Sequence, residues 1–208
     1  MQPARSPRQA QADDTRARLF AAAAKLFATR GYHETTVDQI AREAGVAKGT
    51  FFVHFATKDA VISELVARQV RAAKKARDQA NGNPIDRLKA AVLTLGEQAG
   101  ASRELSRAVL SATLANAEVS DRAGALFHEV HSGMVADARD GQAQGLLLPT
   151  PDAETMANAL MASYLGAALH FTTMLDATPL NDVLAPIVDA NLTGFLTKKA
   201  LRSQHRKD

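Results

Sequence analysis

Apolar residues recur along this chain at the spacing of helices, and no segment shows the sustained alternation of a strand. Between residues 14 and 30 they form one continuous stripe, made of Leu19, Ala22, Ala23, Leu26 and Phe27. Such a stripe predicts an amphipathic helix, and Gly31 is well suited to end it because glycine readily adopts positive φ. The pattern as a whole predicts an all-helical protein.

Three further helices are predicted before residue 81. Two are short, at 36–44 and 47–55, and Gly45 separates them. A long helix follows from 57 to 79, and its buried stripe consists of Val61, Ile62, Leu65, Val66 and Val70. The sequence Asn81-Gly82-Asn83 is typical of a turn and ends this helix.

Residues from Pro84 onward predict a second and larger group of helices. Asn83 is a good N-cap, Pro84 fits the first helical position, and Asp86 suits the positive end of a helix. Five helices are expected at about 84–99, 102–116, 120–143, 151–175 and 182–200. Pro186 either marks a later start of the last helix or kinks it. Together with the earlier segments, this makes about nine helices.

Composition narrows the class of protein. The absence of cysteine excludes disulfides and thiolate metal sites, and it fits a cytoplasmic location. No run approaches about 18 apolar residues, so no membrane span is expected. Residues 1–12 are polar, contain Arg5 and Arg8, and lack the apolar core of a secretory signal. We expect them to form a disordered basic arm, which either stays in solvent or reaches into a DNA minor groove.

Charge is unevenly distributed along the chain. Residues 1–80 contain 14 Lys and Arg against 8 Asp and Glu, whereas residues 81–208 contain 11 against 14. A basic first part indicates a polyanionic partner such as nucleic acid, unless the asymmetry arose by chance.

The stretch TVDQIAREAGVAKGTFFVHF, from Thr36 to Phe55, has the pattern of two short helices that cross closely. Thr35 or Thr36 can cap the first helix, with Asp38 or Gln39 completing a capping box. The interior face of this helix is expected to consist of Val37, Ile40 and Ala41.

The second half of the stretch suits a recognition helix. Gly45 can adopt the positive φ of a tight turn, and Val46 can fill the joint. The helix opens with Ala47-Lys48-Gly49-Thr50, whose small side chains could enter a major groove about 12 Å wide. Its amides and partial positive charge also favour phosphate. Phe51 and Phe55 share one face and can fix the helix to the core.

From Leu19 to Ile62 the chain resembles the DNA-binding domain of the TetR/AcrR family of regulators. The matching residues are Gly31-Tyr32, Thr35-Thr36, Ile40-Ala41, Ala44-Gly45-Val46, Lys48-Gly49-Thr50, His54-Phe55 and Lys58. Beyond residue 62 the resemblance lies in length and helix number alone. Tyr32 is expected to pack the helix joint.

The resemblance implies roles for individual residues. Thr36 would donate to phosphate, Lys48 and Thr50 would reach base edges or phosphates, and His54 and Lys58 would contact the DNA backbone. Gln39 and Arg42 are further candidates. The full set of expected DNA-binding residues is Thr36, Gln39, Ala47, Lys48, Gly49, Thr50, Phe52, His54 and Lys58.

Two of these residues depart from the family pattern. Phe52 stands where the family usually has tyrosine, and Ala47 stands where serine is frequent. A phosphate hydrogen bond is lost at the first position. Both changes could weaken or redirect DNA binding, because phosphate contacts position such a protein on the duplex.

Members of the family usually dimerise through two helices, which here would be 151–175 and 182–200. Small residues on the first allow close approach: Ala159, Ala162, Gly166 and Ala167. The second has an apolar stripe of Leu184, Ile187, Val188, Leu192 and Phe195. Two recognition helices about 34–36 Å apart would read a pseudo-palindrome on double-stranded DNA. Alternatively, both are core helices within one subunit.

The remaining helices could enclose a pocket for an unidentified apolar small molecule. Its candidate lining residues are Phe127, His131, Met134, Met161, Tyr164, Phe171 and Met174. The same residues would fit an ordinary core equally well. His128, His131 and His170 could bind a metal, but further ligands are not apparent. We therefore expect neither a metal site nor a cofactor.

These observations predict a DNA-binding transcriptional regulator, acting as a ligand-responsive repressor. Residues 13–58 would form the helix-turn-helix domain, and residues 59–208 the effector-binding and dimerisation domain. A ligand that favours one tilt of the helix at 57–79 would change the spacing of the two DNA-binding heads. The alternative is a helical small-molecule-binding protein that has lost DNA binding. An enzyme is not expected, because no catalytic or cofactor motif is found.

Overall fold

Helices account for nearly all of this computed structural model, which describes residues 6–80, 82–174 and 178–204. In chain order they are α1 (Pro7–Arg30), α2 (Val37–Glu43), α3 (Lys48–His54), α4 (Lys58–Gln79), α5 (Pro84–Gly100), α6 (Arg103–Ala115), α7 (Ala117–Ala143), α8 (Ala153–Thr173), α9 (Leu180–Phe195) and α10 (Lys198–Gln204). The described ranges contain no strand, only an isolated antiparallel bridge between Leu147 and Leu196. The all-helical prediction is confirmed. None of the described helices is both long and apolar enough to cross a bilayer.

Helix α1 begins earlier than the sequence pattern predicts. Ser6 caps it: the Ser6 hydroxyl accepts from the Gln9 amide, and the Gln9 side chain accepts from the Ser6 amide. Pro7 occupies the first helical position, where its missing N–H costs nothing. Residues 7–12 are therefore helical rather than disordered as expected, because a capping box compensates for their polar composition. Residues 1–5 of the expected arm lie outside the described part of the chain.

The first of two compact units contains the described residues up to Leu65 together with Glu104–Ser120. Its apolar core is built mainly from α1, α2, α3 and the start of α4, and its most buried large side chains are Leu19, Phe27, Ile40, Phe51 and Ile62. Helix α6 adds Ala108 and Ala112 to the same core. This unit is thus larger than residues 13–58, the range expected for the DNA-binding domain.

The second unit comprises Val66–Arg103 and the described residues from Asp121 onward. Helices α5, α8 and α9 pack against one another at its centre. Fully buried side chains from these helices fill the space between them: Leu88, Leu95, Met156, Leu160, Leu184 and Val188.

Helices α5 and α9 approach closely at Gly96. A Cβ atom added at Gly96 would lie 2.1 Å from Oδ1 of Asn181 and 2.6 Å from Cδ2 of Leu184. Asn181 is itself fixed there, because its Nδ2 donates to the carbonyl of Leu93 over 3.1 Å. The crossing of these two helices therefore depends on the absence of a side chain at Gly96.

Gly96→Ala is expected to lower the free energy of unfolding by about 1–2 kcal/mol, because overpacking outweighs the better helix propensity of alanine. Gly124→Ala in α7 is the matched control, since a Cβ there meets no atom within 4 Å. It should raise the free energy of unfolding by up to about 1 kcal/mol. Urea unfolding followed by circular dichroism measures both. A stabilised Gly96→Ala protein would contradict the close crossing.

The last predicted helix, 182–200, is instead two helices. The break lies at Leu196, whose backbone is extended (φ −74°, ψ 143°) and whose side chain is buried. Leu148 donates to the carbonyl of Phe195 over 2.8 Å, and Thr197 donates to the carbonyl of Leu146 over 3.0 Å. The prediction of one helix is wrong. The helix breaks because the segment after Gly145 pairs with the chain around Leu196, and local periodicity carries no information about partners so distant in sequence.

Pro186 lies inside α9. The alternative of a later start is wrong, since the helix begins at Leu180 and continues through Pro186 to Phe195. Proline leaves one backbone carbonyl without its helical partner. Burial of Leu184 and Val188 on the other side of α9 holds the helix in place.

A buried carboxylate joins α4, α5 and α7 within the second unit. The side chain of Asp137 is 3% exposed and accepts two hydrogen bonds from Arg77, one from Nε at 2.5 Å and one from Nη2 at 3.1 Å. Arg87 donates to the same carboxylate from Nε at 2.7 Å, and its Nη2 reaches Asp140 at 2.6 Å. These hydrogen bonds and the two positive charges compensate for the free energy that burying a charged carboxylate would otherwise cost.

Candidate nucleic-acid interface

Helix α2 begins with a complete capping box. The Thr36 hydroxyl accepts from the Gln39 amide over 3.3 Å, and Oε1 of Gln39 accepts from the Thr36 amide over 2.9 Å. Of the two threonines considered from sequence, Thr36 is the cap, whereas Thr35 is buried and donates to the carbonyl of Gly31 over 2.7 Å. The exposed Thr36 hydroxyl keeps its own proton for a further acceptor.

The turn between α2 and α3 follows the sequence expectation. Gly45 has φ +67°, in the left-handed region that glycine adopts without strain. The Val46 amide donates to the carbonyl of Ala41 over 3.0 Å, and Ile40 and Ala41 are buried beneath the crossing. These contacts fix the angle at which α3 leaves the turn.

Helix α3 has one buried side and one bare side. Phe51 and Phe55 are buried, with ring centroids 5.7 Å apart, as expected for core residues. Ala47, Lys48 and Gly49 are exposed, while Thr50 and His54 are partly exposed. Ala47 precedes the helix and offers no side-chain cap. The expected DNA-binding residues of α3 therefore lie at the surface of the first unit.

Lys48 connects the two helices at this surface. Its Nζ lies 2.8 Å from Oδ2 of Asp38, and both side chains are more than half exposed. An ion pair this exposed contributes little to stability. Its ammonium group is therefore free to exchange this partner for a phosphate or a base edge at small cost.

Lys58 is held by the protein itself. Its Nζ donates to the carbonyls of Tyr32 over 2.7 Å and Thr35 over 3.0 Å, and it lies 4.1 Å from the centre of the Tyr32 ring. Burial lowers the pKa of Lys58, and the charge of Glu34 opposes this. Lys58 thus fixes the start of α4 to the segment before α2. Any DNA contact by Lys58 is left to its third N–H, and it stays a prediction.

Two arginines of α1 contact the ends of α2 and α3, and the sequence pattern did not predict these contacts. Arg16 lies over the Phe55 ring at 4.4 Å, donates to the carbonyl of His54 over 3.4 Å, and pairs with Glu64 at 3.1 Å. Arg18 donates to the carbonyl of Ala44 over 3.0 Å, at the end of α2. Their position on the polar side of an amphipathic helix was the available signal, but it does not distinguish such contacts from solvated charges.

The residues proposed from sequence for an effector pocket are mostly core. Met134, Met161, Tyr164 and Phe171 are buried, and the ring centroids of Phe127 and Tyr164 lie 5.9 Å apart. Burial raises the pKa of Tyr164 to about 12, so its phenol is neutral at neutral pH.

Two others in that set differ from the buried group. Met174 is 47% exposed, and its carbonyl accepts from Arg103 over 2.6 Å. Nε2 of His131 is buried and has no hydrogen-bond partner among the described residues. A groove of about 320 Å³ lies elsewhere, in the first unit beside His33 and Ser111, and none of the seven residues lines it.

The helices expected to dimerise divide their apolar residues between two sides. Leu184, Val188 and Leu192 of α9 and Ala167 of α8 are buried within the second unit. Leu165, Leu169 and Ile187 are exposed, as are Ala162 and Gly166 of α8. Leu165 and Leu169 are one helical turn apart and therefore share a face. Their face is an apolar surface that the described residues leave about half exposed.

A helix-turn-helix head with a bare, cationic recognition helix, joined to a larger helical unit, defines a DNA-binding transcriptional regulator. Residues 19–65 match the family described as Bacterial regulatory proteins, tetR family. The predicted resemblance to the TetR/AcrR family is therefore confirmed over these residues.

Individual relatives are similar over more of the chain. The regulator UidR of Escherichia coli strain K12 is 24% identical over 143 residues, which are 68% of this chain and 73% of UidR. The fold is similar to that of FadR from Bacillus subtilis in complex with stearoyl-CoA, with a TM-score of 0.74, 15% identity, and coverage of 86% of this chain and 98% of that one. It is also similar to the SmeT–triclosan complex, with a TM-score of 0.72, 21% identity, and coverage of 89% and 93%.

Proposed function

We propose that this regulator is a ligand-responsive repressor that binds a pseudo-palindromic operator as a homodimer. The exposed face of α3 carries this proposal, because its small and cationic side chains, Ala47, Lys48 and Gly49, are accessible and suit a major groove about 12 Å wide. A regulator of this kind acts on the chromosome of a bacterium, so we assign it to the cytoplasm.

DNA contacts are proposed for the exposed residues at the start of α2 and along α3. Thr36 donates its free hydroxyl proton to a phosphate, and Lys48 with Thr50 reaches phosphates or base edges. Gln39 offers only its amide protons, because its Oε1 is engaged by the Thr36 backbone. Ala47 and Gly49 allow close approach to the duplex because they are small. His54 and the third N–H of Lys58 contact the DNA backbone.

A homodimer is proposed through the exposed faces of α8 and α9. Leu165, Leu169 and Ile187 form its apolar part, and Ala162 with Gly166 allows the helices of two subunits to approach closely. A two-fold interface suits a regulator whose single short recognition helix reads few bases.

The effector is proposed to be an apolar or weakly polar small molecule bound in the second unit. FadR holds stearoyl-CoA and SmeT holds triclosan, both of which have large apolar parts. The methionines and aromatic rings of α7 and α8 would adapt to such a ligand. Helix α4 begins in the first unit at Lys58 and continues into the second beyond Leu65, so it provides a continuous connection for coupling.

The test is a selection of duplexes from a random library by the full-length protein, followed by fluorescence anisotropy on the selected duplex across a salt series. Lys48→Ala should weaken binding by about 10-fold or more and reduce the salt slope by about 1. The matched control is Lys25→Ala, because Lys25 forms a similar surface pair with Glu43 at 2.6 Å, at the other end of α2 from Thr36. The affinity of the Lys25→Ala protein for the selected duplex should be unchanged.

Failure of the selection to enrich any sequence would contradict the proposal. The helical small-molecule-binding protein without DNA-binding activity would then be the better description. Equal losses in Lys48→Ala and Lys25→Ala would contradict the assigned orientation of α3.

A further inference from the structure

The outward face of α3 is apolar at its centre. Phe51 and Phe55 point into the core, so the residues on the opposite side of the helix are Gly49 and Val53, one turn apart. The Val53 side chain is 80% exposed. A Cβ at Gly49 would meet no atom within 4 Å. The centre of this face therefore offers neither a hydrogen-bond donor nor an acceptor.

Phe52 extends this apolar face to one side. It is 50% exposed, and its ring stands nearly perpendicular to that of Phe51, with centroids 5.5 Å apart and an interplanar angle of 86°. This edge-to-face contact with a fully buried ring favours the orientation that Phe52 adopts. Lys48 lies one turn before Phe52 on the same side of the helix.

Major-groove chemistry limits what such side chains can recognise. Guanine, cytosine and adenine present hydrogen-bonding groups there, and thymine alone adds an apolar group, its C5 methyl. Valine and phenylalanine cannot form hydrogen bonds with the polar groups of the bases. Placing either side chain against a polar base edge is unfavourable, because it leaves those groups unpaired. The thymine methyl is the group that fits them.

We propose that Val53 and Phe52 recognise thymine methyl groups, so that each operator half-site carries thymines opposite these two side chains. The inference rests on the proposed DNA-binding function, and it adds the base class that α3 selects. DNA is the occupant of this face because Lys48, Thr50 and Thr36 continue the same exposed surface with phosphate-binding and base-binding groups.

Deoxyuridine tests the inference directly, because it pairs as thymidine does but lacks the methyl group. Each thymine of the duplex selected by the full-length protein is replaced in turn, and affinity is measured by anisotropy. Loss of a contacted methyl should weaken binding about 4-fold, or about 16-fold when both half-sites are changed together. Thymines outside the half-sites serve as controls and should show no loss.

Two variants assign each methyl to a side chain. Val53→Ala should bind the thymine duplex less tightly, and its affinity should no longer depend on whether one particular position carries thymine or uracil. Phe52→Ala should show the same two effects at a different position. Both residues are exposed, so circular dichroism should show intact helices.

The outcomes separate this inference from the function on which it rests. Uracil tolerated at every position would overturn methyl recognition while leaving a DNA-binding regulator. Sensitivity to uracil that persists unchanged in both variants would also overturn it, since other residues would then read the methyl. A selection that enriches no duplex would contradict the regulator itself, and the inference would fail with it.

Discussion

Asp137→Ala should lower the free energy of unfolding by about 3 kcal/mol, because it leaves two arginines facing a site that no longer carries a negative charge. Arg77 and Arg87 come from α4 and α5, while Asp137 lies on α7, so the substitution removes contacts among three helices. The arginine side chains are about a quarter exposed, at 23% and 26%, and they regain some hydration. The loss should therefore fall near the lower end of the range for broken buried pairs.

Urea unfolding at neutral pH, followed by circular dichroism, measures this effect. Asp140→Ala is the matched control, because Asp140 binds Arg87 at 2.6 Å but is 45% exposed. It should cost less than about 1 kcal/mol. Similar losses for the two variants would show that the buried position of Asp137 does not matter. A loss below about 0.5 kcal/mol for Asp137→Ala would contradict the proposed role of the cluster.

Leu169→Asp is the second substitution with a large expected effect. At a two-fold interface formed by α8 it would bring two carboxylates into an apolar contact, where an unpaired charge is strongly unfavourable. Under the proposed homodimer, this variant should sediment as a monomer at concentrations where the unchanged protein sediments as a dimer. Loss of the second head should then weaken operator binding by about 100-fold.

Leu114→Asp provides the control for this experiment. Leu114 is also a large exposed apolar residue, at 78%, but it lies on α6 in the first unit. Its substitution should change neither the sedimenting mass nor the operator affinity. A Leu169→Asp protein that remains dimeric, with its helices intact by circular dichroism, would show that another surface forms the dimer.

The helix-turn-helix segment was the part best predicted from sequence, because interactions between residues close in the chain determine its structure. A capping threonine, a glycine with positive φ and two phenylalanines four residues apart all act within one helical turn. Thr36, Gly45 and Phe51 accordingly adopt the expected conformations and burial.

Other features depend on residues distant in the chain, and local patterns do not reveal them. Leu196 leaves helical conformation because it pairs with Leu147. Asp137 is buried because Arg77 reaches it from a position 60 residues earlier. The alanines that α6 contributes to the first core have the same spacing as those of any amphipathic helix. The role of Lys58 was obscured for the same reason, since its two carbonyl partners lie more than 20 residues away.

The capping box of α2 also bears on how such regulators diverge. Thr36 and Gln39 each bind the backbone of the other, so a substitution at either residue alters the helix as well as any contact with DNA. Val53 and the ammonium group of Lys48 have no comparable structural duty. Under the proposed DNA contacts, a duplicated copy of the gene would change its preferred operator through α3 while α2 keeps its shape. Paralogues of this kind would read different sequences yet hold the phosphate backbone in the same way.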